Sequence, residues 1–409
     1  MKHSLLFLSC FFLLLQANAQ NADAIYKKGD SLYKIKDFKN AARSYTAAIV
    51  KEGKEAEPER FWNAATLWVQ AGVADSAFYI LNLLTKSNKV SIGDANIIFN
   101  NKDLAMLRKD VRWLKLTDQL KAKANSNYPM EEFIYGRKDG TALTMLQLKP
   151  KTKTNNRAIV RVIAGSWFSS YRLAEYYIRP SSMYLEKGYT VFLVIVGSQP
   201  RFDIPAQIID VKRAVRYIRY NANKFGIDPN HLGIEGVSAG GHLSLAVATA
   251  DDIIDKDAID PVDRVSSRVQ AVAVLFPPTD LLSWGGPGRN FINTKAILLA
   301  YKIYGAVDFK VWNDTTATYD AVTDTSARLK IAKEISPINA VTPDDPPVFI
   351  MHGTADVTVP IQQSEIFIAK LKEAGVPNNF IIKKGGRHNP ADMQPELKQF
   401  VDWFDKYLK

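Results

Sequence analysis

The sequence predicts an α/β protein with a mostly parallel sheet covered by helices, preceded by a small all-α region. From about Ala22 to Asn125 the chain has helical periodicity, few glycines and almost no strand-like alternation. From Glu131 onward, short apolar and β-branched runs alternate with helical segments, a pattern typical of parallel sheets with helices on both faces. We therefore expect a helical region over residues 20–125 and an α/β domain over residues 126–409.

The helical region has a recurring pattern of small and large residues. It resembles a tetratricopeptide-type helix pair, and chance helical periodicity is the alternative. Two degenerate units fall short of the roughly three needed for independent stability, so we expect them to pack on the following domain. The region would also offer a surface for a protein partner. The residues of the pattern are Gly29, Leu32, Ala41, Tyr45 and Ala48, then Ala65, Ala77, Leu81 and Leu84.

The first 19 residues have the pattern of a secretory signal peptide. Lys2 gives a basic start, Leu5 to Leu15 is apolar, and Ala17-Asn18-Ala19 is a small-x-small cleavage signature. We expect cleavage after Ala19 and a secreted, periplasmic or extracellular protein. Cys10, the single cysteine, lies inside this segment, and lipid anchoring there is the minority interpretation because the apolar run continues beyond it.

Composition excludes several classes of function. The formal net charge is +11, but the basic residues are scattered and form no block beside aromatic residues, so we expect no nucleic-acid partner. A processed chain without cysteine forms neither a disulfide nor a thiolate metal site. No further apolar run is long enough to span a membrane.

The α/β domain opens with an expected antiparallel strand pair around Lys138-Asp139-Gly140. A helix between Pro205 and Phe225 follows, with Arg213, Arg216 and Arg219 off its apolar face and interpreted as solvated. The polar interval Leu282 to Asn339 is too long for a simple connection, and we expect it to form a cap over the strand ends. The expected strands are Phe133–Tyr135, Ala142–Lys149, Ala158–Ala164, Val191–Val196, Leu232–Glu235, Val269–Leu275, Pro347–Met351 and Phe380–Lys383.

The segment from Gly236 to His242 reads Gly-Val-Ser-Ala-Gly-Gly-His and lies between an apolar strand and an alanine- and leucine-rich helix. This strand–turn–helix context is that of a nucleophile elbow, in which Ser238 projects its hydroxyl above the sheet. A serine hydroxyl is a weak nucleophile until a base takes its proton. We therefore expect Ser238 to be the nucleophile of a hydrolase.

Among the five histidines, His388 is the best candidate for the base. It lies in a flexible loop directly after the Phe380 strand, where a base would reach the elbow. His231 precedes the elbow strand at the opposite sheet end, and His242 is too close in sequence to swing over Ser238. His352 is expected to support the turn after its strand, and His3 lies in the signal segment.

Asp356 is the preferred acid, because it follows a buried strand and gives the chain order Ser, Asp, His. Asp280 is the rival at the end of the preceding strand, and is otherwise expected to cap a helix. For the oxyanion, one backbone donor is expected from Ala239 and the other from Gly165 or Ser166 in the loop before Trp167. Trp167 would line the acyl pocket or belong to the core.

These motifs together resemble the α/β-hydrolase group that contains hormone-sensitive-lipase-like carboxylesterases and bacterial bifunctional acetylxylan/feruloyl esterases. The resemblance covers about Arg157 to Lys409 and rests on the elbow, on Phe225 to Pro229, on Ser336-Pro337 and on His352 to Asp356. It implies hydrolysis of short acyl or aryl esters, often on plant polysaccharides, without a metal or organic cofactor. The family usually carries a His-Gly-Gly-Gly-Trp oxyanion loop; this chain has Ile-Ala-Gly-Ser-Trp instead, and lacks the histidine that commonly braces the loop.

The sequence thus predicts a secreted serine esterase that acts on a small-molecule or carbohydrate ester. Two alternatives stay open. One is a serine peptidase resembling prolyl oligopeptidase, although that group usually carries a large β-propeller ahead of the same triad. The other is a binding protein, in which a hydrolase fold has lost activity through the altered loop.

Overall fold

The structure, a computed structural model, describes residues 22–151 and 153–409. The chain divides into two compact units after Pro129. The expected signal segment, with His3, Cys10 and Ala19, lies outside the described residues.

The first unit is helical, as the sequence predicts. Small side chains lie where helices cross: a Cβ atom at Gly29 would be 2.6 Å from the ring of Tyr45, and Ala41, Ala65 and Ala77 are fully buried. The likeness to a tetratricopeptide pair stays a prediction. The helices are α1 (residues 22–34), α2 (Phe38–Glu52), α3 (Pro58–Gln70), α4 (Ala74–Leu84), α5 (Ile92–Asn100) and α6 (Arg112–Asn127).

The second unit is built on an eight-stranded sheet of order β1-β2-β4-β3-β5-β6-β9-β10. β1 pairs antiparallel with β2, and β2 with β4; the other neighbours are parallel. A separate hairpin joins β7 to β8. The strands are β1 (Met130–Lys138), β2 (Thr141–Leu148), β3 (Ala158–Ile163), β4 (Thr190–Ile195), β5 (Leu232–Val237), β6 (Ala271–Leu275), β7 (Lys310–Asn313), β8 (Thr318–Ala321), β9 (Val348–Gly353) and β10 (Asn378–Lys383).

Helices connect these strands. α9 begins where Asp203 accepts a hydrogen bond from the N–H of Ala206, and Pro205 fits its first turn because proline lacks the N–H that a helix start leaves unpaired. The helices are α7 (Tyr171–Ile178), α8 (Ser182–Leu185), α9 (Ile204–Tyr220), α10 (Ala222–Phe225), α11 (Ala239–Thr249), α12 (Lys295–Ala300), α13 (Thr325–Glu334), α14 (Gln362–Glu373) and α15 (Gln399–Tyr407).

The predicted fold class is confirmed: a mostly parallel sheet covered by helices, with the central strands β3 to β6 buried throughout. The hairpin of β7 and β8, inside residues 282–339, was not predicted. Its sequence alternates weakly, and the residues of both strands are exposed or half-buried, so no apolar periodicity marks it.

The interpretation of the three α9 arginines as solvated was wrong. Arg213 forms ion pairs with Asp260 and Asp263, and Arg216 pairs with Asp252. The guanidinium of Arg219 donates to the carbonyls of Pro229, Ser266 and Arg268. These side chains tie α9 to the loops after α10 and α11, which sequence spacing alone does not reveal.

Across residues 22–151 and 153–409, no helix has the length and apolarity needed to cross a membrane. In the same part of the chain, no cluster of three or more histidine, cysteine or acidic side chains is arranged to hold a metal ion.

Candidate active site

Ser238 lies at the sharp turn between β5 and α11, in a backbone conformation of positive φ (φ 55°, ψ −120°) that non-glycine residues seldom adopt. Two glycines make room for this turn. A Cβ atom at Gly236 would be 2.2 Å from the carbonyl oxygen of Gly240, and one at Gly240 would be 2.5 Å from that of Val162. The elbow therefore depends on glycine at both positions.

Three side chains form a continuous line of hydrogen bonds at the carboxyl ends of the strands. The hydroxyl of Ser238 lies 2.9 Å from Nε2 of His388, and Nδ1 of His388 lies 2.7 Å from Oδ2 of Asp356. In the matching tautomer, Nδ1–H donates to the carboxylate and Nε2 accepts from the hydroxyl. The predicted nucleophile, base and acid are thus brought together from positions 150 and 32 residues apart.

The loops that carry Asp356 and His388 are joined by backbone contacts. The N–H of Ala355 donates to the carbonyl of Gly386 at 2.9 Å, and that of Thr354 donates to Lys383 at 3.0 Å. A Cβ atom at Gly353 would be 2.0 Å from the carbonyl oxygen of Gly386, so the close approach requires glycine. We refer to residues 353–356 and 383–388 as the paired loops.

The carboxylate of Asp356 is fully buried and accepts several hydrogen bonds from the protein. Its Oδ1 accepts from the N–H groups of Thr358 and Val359, each at 2.9 Å, and its Oδ2 lies 3.3 Å from Nε2 of His352. Burial raises the pKa of Asp356, but the hydrogen bonds of His352, His388 and Val359 and the charge of His388 outweigh it. The pKa of this carboxyl is held well below its usual range, so the group is an anion at neutral pH.

The N–H of Ala239 is available at the elbow. Ala239 is the first residue of α11, and the first N–H groups of a helix have no partner within it. The helix dipole adds a partial positive charge at this end.

The neighbouring loop is a tight turn from Gly165 to Phe168. The N–H and C=O of Gly165 both pair with Phe168, each at 2.9 Å, and the central residues Ser166 and Trp167 have positive φ of 49° and 57°. Because its N–H is engaged by Phe168, Gly165 is not an available donor, which corrects that part of the prediction. The central N–H groups, those of Ser166 and Trp167, lie outside this pair of bonds. The carbonyl of Ala164 accepts from Gly240 at 3.1 Å and fixes the turn beside the elbow.

His242 supports this turn through a hydrogen bond with Trp167. The indole N–H of Trp167 donates to Nδ1 of His242 at 3.3 Å, and Nε2–H of His242 donates to the carbonyl of Ile335 at 2.8 Å. Trp167 is buried and belongs to the core, the second of its two expected roles. A histidine therefore supports the turn although the sequence of the loop itself contains none.

The other candidate residues, His231, His352 and Asp280, make contacts that stabilise the fold. His231 pairs with Asp228 and contacts the last backbone carbonyl, that of Lys409. His352 is fully buried, with Nδ1 2.7 Å from the hydroxyl of Ser364. Asp280 accepts from the N–H of Leu282 two residues on, in an Asx-turn, so its expected role as a helix cap was wrong.

Two residues near the site were not found from the sequence. The ring of Phe276, which directly follows β6, packs against the imidazole of His388 with centroids 4.2 Å apart. The amide of Gln199, in the loop after β4, donates to the carbonyl of Ser166. Chain topology alone brings these residues to the site, and no local motif marks them.

Comparison with known proteins agrees with this geometry. The sequence is 28% identical to esterase LipQ of Mycobacterium tuberculosis over 61% of this chain, and 26% identical to esterase LipC of that organism over 63%. The chain spans only 54% and 61% of the length of these two relatives. Among solved structures, a truncated carbohydrate esterase from gut microbiota is similar, with 27% identity, a TM-score of 0.53, and coverage of 68% of this chain and 96% of that chain.

The match to a protein family covers most of the α/β unit. It runs from residue 145 to residue 371, more than half of the chain, and includes the elbow and Asp356. The mostly parallel sheet and the elbow are those of an α/β-hydrolase. On this match, the chain belongs to the BD-FAE family.

Proposed function

We propose that this protein is a serine esterase that hydrolyses short-chain acyl or aryl esters, including esters carried on polysaccharides. One observation carries the proposal. The Ser238 hydroxyl, the His388 imidazole and the buried Asp356 carboxylate are linked by hydrogen bonds of 2.9 and 2.7 Å. This is the arrangement that turns a serine hydroxyl into a nucleophile.

In the first half of the reaction, Oγ of Ser238 attacks the ester carbonyl carbon while Nε2 of His388 takes the hydroxyl proton. The carbonyl oxygen becomes an anion, which the N–H of Ala239 and a central N–H of the Gly165–Phe168 turn stabilise. The imidazolium then gives its proton to the leaving alcohol as the C–O bond breaks. Asp356 remains ionised and stabilises the imidazolium.

In the second half, water attacks the acyl-serine. His388 takes a proton from the water, a second oxyanion forms at the same donors, and the proton returns to Ser238 as the acid leaves. No metal or organic cofactor takes part in these steps.

The comparisons support the ester class. LipQ and LipC are named esterases, and the similar solved structure is that of a carbohydrate esterase. A polysaccharide ester as substrate of this chain is an extension from that neighbour.

We also propose that residues 282–339 form a cap beside the site. The segment connects β6 to the strand before the Asp356 loop and contains α12, the hairpin of β7 and β8, and α13. The Tyr301 hydroxyl donates to the carbonyl of Val357 at 3.1 Å, and the N–H of Gly285 donates to Gln362 at 3.1 Å. Such contacts suit a segment that shapes the substrate entrance.

A fluorophosphonate probe tests the nucleophile. The probe should label the wild-type protein, and Ser238→Ala should abolish labelling while leaving the thermal melting curve close to wild type. Ser244→Ala is a matched control on α11. A well-folded wild-type protein that resists labelling would support the inactive binding protein instead.

The substrate class is tested with a chain-length series of nitrophenyl esters beside acetylated and feruloylated xylan. We expect the highest kcat/KM for short acyl chains and release of acetate or ferulate from xylan. Cleavage of peptide amides without cleavage of esters would instead favour the peptidase.

We propose finally that the protein is secreted, which the basic start and apolar run of residues 1–19 support. Expression of the full chain in a bacterial host with a Sec system should yield mature protein in the periplasm or medium, beginning at Gln20. Retention of full-length protein in the cytoplasm would contradict this.

A further inference from the structure

The side-chain amide of Gln199 joins two parts of the second unit that are distant in sequence. Its Nε2 donates to the carbonyl of Ser166 at 2.6 Å and to the carbonyl of Lys302 at 3.0 Å. Ser166 is a central residue of the turn beside the elbow, and Lys302 lies in the proposed cap. Gln199 is only 4% exposed, so water does not substitute for either contact.

The loop that carries Gln199 is itself held in place. The N–H of Gln199 donates to the carbonyl of Trp167 at 3.2 Å, and the N–H of Gly197 donates to Oδ2 of Asp210 at 2.8 Å. Lys138 lies 2.6 Å from the same carboxylate. The amide is therefore presented from a fixed position rather than from a free side chain.

The contact with Ser166 sets the direction of an N–H group. A trans peptide unit is planar, and its C=O and N–H point in opposite directions. The carbonyl of Ser166 shares its peptide unit with the N–H of Trp167. While Gln199 holds that carbonyl, the N–H of Trp167 points away from Gln199, and the turn cannot rotate this unit without losing the bond.

The contact with Lys302 extends the restraint to the cap. The backbone near Gly305 packs closely on the same loop, since a Cβ atom at Gly305 would be 2.4 Å from the Cβ atom of Pro200. A movement of the cap segment would therefore displace Gln199 and Pro200, and with them the bond to Ser166.

We propose that Gln199 is a positioning residue that couples the cap to the Trp167 N–H, one of the two central donors of the Gly165–Phe168 turn. The inference rests on the proposed esterase function. When the Lys302 carbonyl is in place, the amide is locked and the Trp167 N–H is aligned for the transition state. When the cap shifts, the amide is released and this donor loses its alignment.

The test compares oxoesters with the corresponding thionoesters, in which sulfur replaces the carbonyl oxygen. Sulfur is a weak hydrogen-bond acceptor, so thionoester hydrolysis gains little from oxyanion donors. Gln199→Met removes the donor without adding a buried charge, and Gln199→Glu places a carboxylate against two carbonyls. Gly305→Ala keeps the Gln199 amide but crowds its loop from the cap side, since the new methyl group would lie 2.4 Å from Pro200 and 3.1 Å from Oε1 of Gln199. Gln147→Met is the control, because Gln147 is a buried glutamine of β2 that makes no side-chain hydrogen bond among the described residues.

We expect the oxoester kcat/KM of Gln199→Met and Gly305→Ala to fall at least about tenfold, mostly in kcat, because misplaced oxyanion donors lower kcat. The thionoester rate should change less than about threefold, so the ratio of the two rates falls. Gln147→Met should keep the wild-type ratio. Equal losses on both esters, or an effect on KM alone, would overturn the inference.

Hydrogen exchange followed by mass spectrometry provides a readout that needs no activity. Gln199→Met should speed exchange in residues 165–168 and in residues 300–307 together, and Gln147→Met in neither. A wild-type protein inactive on esters would contradict the proposed function, whereas coupled exchange would still support the bridge. If Gln199→Met changes exchange in neither segment, the bridge is refuted whatever the activity.

Discussion

The indole N–H of Trp167 and the carbonyl of Ile335 engage the two ring nitrogens of His242, at 3.3 and 2.8 Å. Both contacts require the neutral tautomer that carries its proton on Nε2. Burial lowers the pKa of His242 to about 4, although the hydrogen bond to Ile335 opposes part of that shift. The turn beside the elbow is thus supported by a histidine that stays uncharged at neutral pH.

This brace predicts a pH dependence of stability. The folded pKa of about 4 lies below the usual value near 6.5, so between these values the unfolded chain binds more protons. The stability that neutral His242 contributes to the fold is complete above about pH 6.5 and is lost as the pH falls toward 4. Urea unfolding at pH 7 and pH 4.5 should show that wild type loses about 2 kcal/mol more than His242→Gln over this range. Other titrating groups cancel in that difference, and equal losses would contradict the prediction.

Replacing Asp356 by asparagine should abolish most activity while keeping the fold. The Asn oxygen can still accept from Thr358 and Val359, but its NH₂ group faces Nδ1 of His388 and favours the wrong tautomer. We expect kcat on nitrophenyl acetate to fall by about 10⁴-fold. Asp280→Asn is the control and should keep kcat within about threefold; a large loss there would revive Asp280 as the acid.

The elbow glycine Gly236 should be intolerant of any side chain. A methyl group would lie 2.2 Å from the carbonyl of Gly240, which the backbone can relieve only by moving α11 away from β5. Gly236→Ala should therefore cost more than about 3 kcal/mol of unfolding free energy. Gly165→Ala is the control for stability, because its new methyl group would find its nearest atom at 3.8 Å. Similar urea midpoints for the two variants would refute the steric argument.

Removing one partner of the buried ion pair between Arg161 and Glu235 should lower the unfolding free energy more than replacing both partners by apolar residues. Nε of Arg161 lies 2.9 Å from Oε2 of Glu235, and the two residues are 4% and 1% exposed. Arg161→Met alone leaves a buried carboxyl without its cation and should cost about 3–5 kcal/mol. The double variant Arg161→Met, Glu235→Leu should be close to wild type in urea unfolding. A double variant as unstable as the single one would show that the pair itself is required.

The backbone of the sheet was more predictable from the sequence than the contacts around the candidate site. The buried strands were predictable because each is a short run of β-branched and apolar residues with a turn after it. Chain order and position after strands predicted Ser238, His388 and Asp356 as a triad, and the structure places His388 within hydrogen-bond distance of the other two side chains. The engaged N–H of Gly165 was not predictable, because it depends on a turn whose central residues take positive φ without glycine. The contacts of Gln199 with Ser166 and Lys302 were also not predictable, because they join residues 33 and 103 positions apart and follow no local pattern.

The paired loops have a consequence for the second half of the proposed reaction, which follows acylation. Once Ser238 carries an acyl group, its hydroxyl proton is gone and the imidazole loses that partner. The hydrogen bonds of Ala355 and Thr354 to the base-bearing loop do not involve the serine, so the histidine and its carboxylate stay aligned. The incoming water then meets a base whose tautomer is already set, and turnover need not wait for the imidazole to find its orientation again.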